Sequence, residues 1–412
     1  MLGGPYRKTL GASTKANHMF FPGWRLRFGA AAGALAAVMA AGCTPAVENA
    51  DPLLAELVQR FGASEIQRLP EEADMIGLPE SAFGRSYAAL LNDRSIAVEE
   101  RTRTRRLEFL ADFERIDRAL LSPAAVRTYD SLRSTLEATI AVDRHGHGVT
   151  SLGRSSTYVT TFADGAFTDL VKFLTLHVAV ATPAQADAWL KRLEQMDESM
   201  RDERRRFEVD VAAGTIPPRN VVQRTLDKAR QLRPGIARDH VLVQHFTESL
   251  AQVADIPEAD IARLTARAAE LVGGDIKKEY DALIALLEET LAKAPAEPGV
   301  WRLKDGEAYY ADVLKLHTTS SLTPAQMNEL GLKLVEQITT ELDPLLAAAG
   351  LVEGSAGGRL RSLSQRPELL YPETPEGRLA LLNAINQKVT WANGITARVV
   401  DIDKPAPLAV RE

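Results

Sequence analysis

The 412-residue sequence predicts a mainly α protein, a large helical domain with a few short strands. Three observations predict it. Apolar residues recur three and four positions apart along most of the chain, the spacing that gathers them on one helix face. Aromatic content is 6%, with alanine and leucine abundant, which favours helix over sheet. Four segments open on a hydroxyl residue followed by proline: Ser122-Pro123, Thr182-Pro183, Thr323-Pro324 and Thr374-Pro375. In such a start the hydroxyl caps free backbone N–H groups and the proline has no N–H to leave unpaired.

The first segment is a targeting signal. Residues 1–47 contain Arg7, Lys8, Lys15, Arg25 and Arg27 and no acidic residue, and residues 28–42 read FGAAAGALAAVMAAG. That run is apolar but too short to span a bilayer. A positive segment, a short apolar run and small residues before a cleavage point describe a secretory signal over residues 1–42. Small residues lead directly into Cys43, the single cysteine, and this resembles a bacterial lipoprotein signal. The resemblance implies lipid attachment at Cys43 and anchoring to a membrane through that N-terminal lipid. The expected location is the cell envelope, reached through the general secretion pathway and facing the periplasm; Met19 offers an alternative start. One cysteine allows no internal disulfide. A net charge of −6 without a dominant basic face argues against nucleic acid as a partner.

Residues 52–121 read as helical, with Leu53, Leu54, Leu57, Val58 and Phe61 on one apolar face and Leu107, Leu110, Phe113, Ile116 and Leu120 on a second. From Ser122-Pro123 a further helix places Val126, Tyr129, Leu132, Leu136 and Ile140 inward. The stretch HGHGVTSLGRSSTYVTTFADG at 145–165 is rich in Gly, Ser and Thr, and predicts a loop with one short strand at 157–162. Helices are predicted again over 183–213, 218–232 and 257–294, Gly214 ending the first and Gly273-Gly274 interrupting the last. In the two TPAQ starts, Gln185 and Gln326 can complete a capping box. The charge runs RTRTRR at 101–106 and RDERRR at 201–206 read as solvated helix faces. Leu330, Leu334, Ile338, Leu342 and Leu346 define another amphipathic helix, followed by a glycine-rich loop at 354–358. A last helix starts at Pro375, with Leu382, Ile385 and Val389 inward, and leads into an extended tail.

Chemistry is harder to find. The seven histidines are His18, His145, His147, His177, His240, His245 and His317; none is followed by Glu and no two are four apart, so no His-Glu-x-x-His motif is present. His240 and His245 lie five apart, about 140° around a helix axis. His145 and His147 would share a face if extended, but read as an exposed loop pair. There is no phosphate-cradling GxxxxGK[ST] loop and no GxSxG elbow. The carboxylates Glu99-Glu100, Glu270 and Glu288-Glu289 lie among arginines and lysines as solvated faces. No catalytic residue and no metal ligand is assigned.

The segment GVWRLKDGEAYYADVLKLHTTSSLTPAQMNELGLKLVEQI at 299–338 resembles the signature region of the bacterial domain-of-unknown-function 885 family. Upstream, FADGAFTDLVKFLTLHVAVATPAQADAWLKRLEQM and AAGTIPPRNVV resemble that family's middle region, so the likeness covers most of residues 52–412. The family is similar to zinc metallopeptidases that carry a His-Glu-x-x-His helix and a Pro-Gly-His-His-type extension. The resemblance therefore implies that residues 43–412 form a helical family domain similar to the N-terminal part of a gluzincin-like peptidase, ending before its zinc-binding half. No cofactor is expected in this chain; zinc is expected only for a complete family member. By the same resemblance Tyr309, Tyr310, His317 and Thr318 form part of a substrate-cleft wall, able to donate hydrogen bonds to a carbonyl on which charge develops. Alternatively, the two tyrosines are packing residues. The expected function is the N-terminal portion of a secreted, lipid-anchored zinc-metallopeptidase-like protein, inactive as this chain, with a peptide as substrate of the full-length protein. The alternative is a non-catalytic envelope lipoprotein that binds a peptide or protein partner.

Overall fold

A computed structural model describes residues 49–399 together with Leu408 and Val410. The signal segment, Cys43 and most of the tail after Val399 lie outside the described residues. The chain divides into two compact units, one spanning Cys43–Glu329 and one holding Leu330–Glu412.

The larger unit opens with α1 (Asp51–Arg68), α2 (Pro70–Met75), α3 (Glu80–Phe83), α4 (Ile96–Glu114) and α5 (Pro123–Asp143). A hairpin follows, β1 (Val149–Ser151) paired antiparallel with β2 (Arg154–Ser156), Thr150 opposite Ser155. Then come α6 (Ala166–Lys172), α7 (Pro183–Glu194), α8 (Met196–Ala212), α9 (Arg219–Leu232), α10 (Val241–Leu250), α11 (Glu258–Leu271), α12 (Lys277–Lys293) and α13 (Gly306–Thr318). The α14 helix (Pro324–Ala348) carries the chain into the second unit, which holds α15 (Ala356–Ser364) and α16 (Pro375–Val399). The fold is mainly α, as the apolar spacing predicts.

The hydroxyl-proline starts cap as expected. Ser122, Thr182, Thr323 and Thr374 each accept a backbone N–H from the third residue along, at 3.1–3.3 Å. Gln326 completes a capping box by accepting the Thr323 N–H at 2.9 Å, whereas Gln185 reaches one residue further back, to the Ala181 N–H. Gly214 ends α8 with φ 89°, a left-handed backbone that favours glycine. Between α11 and α12 the helix widens to a π-turn over Val272–Ile276, with Gly274 off helical geometry.

Two larger cores, with two smaller clusters around Tyr309 and Tyr87, hold the larger unit. One gathers α6 to α12 around Trp189, which lies flat on Phe246 with centroids 4.2 Å apart and donates its indole N–H to Leu174 O at 2.9 Å. The other joins α1, α4 and α5 through Leu54, Leu57, Phe61, Phe109, Phe113, Tyr129 and Leu136.

Several expectations are corrected here. Leu53 and Leu107 face solvent; the inward stripe of α4 is Val98, Thr102, Arg106, Phe109 and Phe113. The RTRTRR run is thus not wholly solvated. Arg106 is 1% exposed, donates from Nη1 to both oxygens of the Asp143 carboxylate at 2.7 and 3.0 Å and from Nη2 to Thr150 O at 2.8 Å, so it ties α4 to α5 and β1. Within RDERRR, Glu203 and Arg206 are buried: Glu203 accepts the Ala166 N–H at 2.7 Å and the Thr160 hydroxyl at 3.1 Å, and Arg206 pairs with Glu99 at 3.2 Å. Glu99 is therefore a paired, largely shielded carboxylate. The strand lies at 149–156 rather than 157–162, because Thr157 and Thr160 turn inward to partners on α13 and α8. Residues 166–177 and 241–250 are helical where a loop or break is expected, and 183–213 breaks at Gln195 into two helices. Gly357 and Gly358 sit in the first turn of α15, not in a loop.

In the second unit the α14 stripe is amphipathic as read, yet Leu330, Leu334 and Ile338 are 41%, 44% and 52% exposed, and Leu346 is buried. Leu382, Ile385 and Val389 of α16 are half-buried.

Candidate functional site

The α13 helix is positioned from its N-terminus. Asp305 adopts a left-handed φ of 54°, and Gly306 passes so close to the preceding turn that a Cβ there would stand 2.0 Å from Val300 O. This sets the register that sends Tyr309 and Leu316 into the protein and leaves Tyr310, His317 and Thr318 outward.

Tyr309 is 1% exposed and sits between two imidazoles, edge-on to His145 and His147 with centroids 5.6 and 5.0 Å away. Its hydroxyl donates to Thr157 Oγ1 at 3.0 Å. Burial pushes the phenol pKa up, opposed by the Thr157 hydrogen bond. His147 is buried: Nε2 lies 2.9 Å from Lys304 O, which can only accept, so Nδ1 is left to accept the Thr215 hydroxyl at 2.8 Å. His145 Nε2 meets Asp312 Oδ2 at 2.9 Å. The pair is not an exposed loop: both rings have protein partners, and both brace Tyr309. Nearby, Arg302 donates to the Tyr158 hydroxyl at 2.9 Å and to Ile216 O. Burial raises the Tyr158 pKa, against the opposing effect of that guanidinium.

Of the four residues assigned to the wall, Tyr310 and His317 lie on the outer side, seven positions apart and hence on one helix face, with Tyr310 46% exposed. His317 Nε2 stands 3.2 Å from Ser155 Oγ on β2. Thr318 is exposed, but its hydroxyl donates to Leu314 O at 2.7 Å. The structure thus separates a locked inner tyrosine from an open outer stripe.

Sequence reasoning missed Asp210, which adjoins the His147–Tyr309 cluster. Its carbonyl accepts the Thr215 N–H at 2.8 Å, and Thr215 in turn bonds His147. The side chain faces a cleft of about 180 Å³ between α4, α8 and the 146–148 turn, shared with Glu99, Arg103, Gly148 and Arg206. Asp210 Oδ2 is buried without a hydrogen-bond partner. Burial pushes its pKa up to about 7, against the opposing pull of Arg206, Arg103 and the Gly148 N–H. One signal was legible: α8 has an aspartate in its last turn and no basic residue there, the unfavourable end for a negative charge. The group can take up or release one proton near neutral pH.

The folded-state value lies above the ordinary 3.8, so the protonated carboxyl favours the folded chain. That stabilisation is complete below about pH 4, declines as pH rises, and is lost by about pH 7. Asp210→Asn is expected to remove the slope. The difference between wild type and variant in urea unfolding should then move by about 1–3 kcal/mol between pH 4 and 7.5, allowing for partial hydration of the cleft. Parallel pH profiles would contradict the assignment.

A zinc site does not fit here. Among the described residues no group of three His, Cys, Asp or Glu side chains is placed to hold a metal ion. The two histidines nearest the wall already use ring nitrogens on Asp312, Thr215 and Lys304 O. Among the described residues no helix is long and apolar enough to cross a membrane.

No curated protein matches the chain. It is similar to a crystal structure of "the putative lipoprotein from Colwellia psychrerythraea", with a TM-score of 0.77 and 22% sequence identity over 86% of this chain and 61% of that one. At that identity the likeness establishes the fold alone, and the chain spans less than two thirds of that protein's length. The family described as "Bacterial protein of unknown function (DUF885)" matches residues 70–412, the greater part of the sequence. The signature segment at α13, the mainly α fold and this match agree: the chain belongs to the DUF885 family.

Proposed function

We propose that this chain supplies the helical, substrate-facing portion of a lipid-anchored envelope protein of zinc-metallopeptidase-like design, and that by itself it binds extended peptide without cleaving it. The outer stripe of α13 carries this reading. Tyr310 and His317 stand about 10 Å apart along the axis, the length of roughly three residues of extended chain. The buried Tyr309, held by two histidines and Thr157, fixes the helix beneath them. Anchoring at Cys43 and a periplasm-facing location rest on the signal segment, with the structural neighbour described as a lipoprotein in support.

The test uses the full chain carrying Cys43→Ala, with fluorescent peptides followed by anisotropy and by mass spectrometry. Saturable binding without cleavage is expected, weakened about tenfold in Tyr310→Ala and about threefold in His317→Ala, from the loss of one amphipathic aromatic and one hydrogen bond. Turnover by this chain would overturn the proposal. Alternatively, the chain is a non-catalytic lipoprotein that docks an envelope partner on the uncovered α14 stripe of Leu330, Leu334 and Ile338. Peptide binding indifferent to Tyr310 and His317 favours that alternative.

A further inference from the structure

We propose that α14 pairs with the α14 helix of a second copy of this chain, the two antiparallel about a two-fold axis at Gln337–Ile338. Every residue from Leu330 to Glu341 is exposed. These include Leu330, Leu332, Leu334, Val335 and Ile338 at 41–65%, and Leu345 further along is 66% exposed. Among the described residues of this unit Leu346 is the one buried large apolar side chain, and none of the four apolar clusters draws on the unit. A helix in a folded protein takes most of its stability from packing its apolar face, so this stretch of α14 calls for a cover.

The exposed surface is the right size for a protein partner. At roughly 100 Å² each, the six side chains offer on the order of 600 Å², most of the ~800 Å² that each partner of a stable pair buries. Polar residues on the same turns supply the rest, in keeping with the ~65% apolar share of a homodimer interface.

The pattern along the helix selects a second copy as that partner. A two-fold interface is self-complementary: where residue i meets j, j meets i. Leu334 and Leu342 stand four residues either side of Ile338, so this i,i+4 row reads alike in both directions and can interdigitate with its own copy. The charges follow the same symmetry. Lys333 and Glu341 stand four residues either side of Gln337, about 80° apart around the axis and so on one flank. Lys333 has no partner among the described residues, and Glu341 bonds only Gln337 of its own helix, at 2.8 Å. An antiparallel copy sets each Lys333 beside the partner's Glu341, twice per dimer. Glu336, about 160° around from Ile338, stays in solvent. The pairing is independent of peptide binding at α13.

Sedimentation equilibrium of the full chain carrying Cys43→Ala tests the pairing. A monomer–dimer equilibrium is expected, with a Kd of about 1–10 µM. Ile338→Glu sets two carboxylates face to face at the axis and should weaken the dimer about a hundredfold. Leu176→Glu, at a 74% exposed apolar residue of the larger unit, should leave it unchanged, and circular dichroism should show both variants as helical as wild type. Lys333→Glu and Glu341→Lys should each weaken the dimer about fivefold, and combining them should restore it, because reversing both partners remakes the pairs. That reversal series, at exposed positions, reads the same contact without touching the apolar row. A chain still monomeric at about 100 µM would leave the stripe to a different protein and overturn the proposal. So would a dimer indifferent to Ile338→Glu, or a double reversal weaker than either single one.

Discussion

Trp189→Ala is expected to destabilise the larger unit by about 3–5 kcal/mol, the usual range for deleting a fully buried large aromatic. Trp189 is 0% exposed and stacks on Phe246 with rings 6° from parallel, so alanine leaves a void that the surrounding helices cannot fill without moving. The substitution also strips Leu174 O of its donor, adding a buried unpaired carbonyl. Trp189→Phe separates the two effects, since it restores most of the packing and leaves only the carbonyl unmet, at about 1–2 kcal/mol. Urea unfolding followed by far-UV circular dichroism measures both. A Trp189→Ala midpoint equal to wild type would mean that the core is not organised around this residue.

Arg106→Met carries the second large effect, about 3–5 kcal/mol, because the Asp143 carboxylate is left buried without its counter-charge. Thr150 O loses its donor in the same step, so the α4–α5 seam and the β1 edge loosen together. The pair itself is not the source of that stability: burial of two charges costs about what their attraction returns. Arg106→Met combined with Asp143→Leu should therefore recover most of the loss, and the double-mutant cycle should be strongly non-additive. Additive losses in the same urea assay would show that the two side chains do not depend on each other.

These two residues mark where the fold was readable in the sequence and where it was not. Helix starts at Ser122, Thr182, Thr323 and Thr374 were legible because a cap is made within three residues of the hydroxyl. The register of α4 was not, because its inward stripe includes an arginine whose partner lies 37 residues away. Without Asp143 in view, Arg106 belongs with its charged neighbours and the apolar face is drawn through Leu107 instead of Phe109. His145 and His147 follow the same logic: Gly146 and Gly148 suggest an open loop, and only Asp312, Thr215 and Lys304 turn it into a brace. The α10 helix escaped notice because its start is capped by the His240 imidazole, which accepts the Leu242 N–H, rather than by a hydroxyl or carboxylate.

The α13 segment was partly visible. The segment at 299–338 stood out by its family resemblance, and its first part forms a turn-and-helix unit with left-handed residues at Asp305 and Thr319 bounding α13. Which side of that helix faces out depends on the close contact at Gly306, a backbone approach that no residue pattern announces. Asp210 was hidden for another reason: its altered acidity comes from burial under α4, and burial is a tertiary property.

Zinc retention tests the account most directly. The full chain carrying Cys43→Ala, equilibrated with zinc, passed through a desalting column and measured by elemental mass spectrometry, is expected to keep well under one zinc per chain, because both ring nitrogens of His147 are engaged and no group of three ligating side chains is assembled among the described residues. One tightly held zinc per chain that is lost in His147→Ala would contradict it.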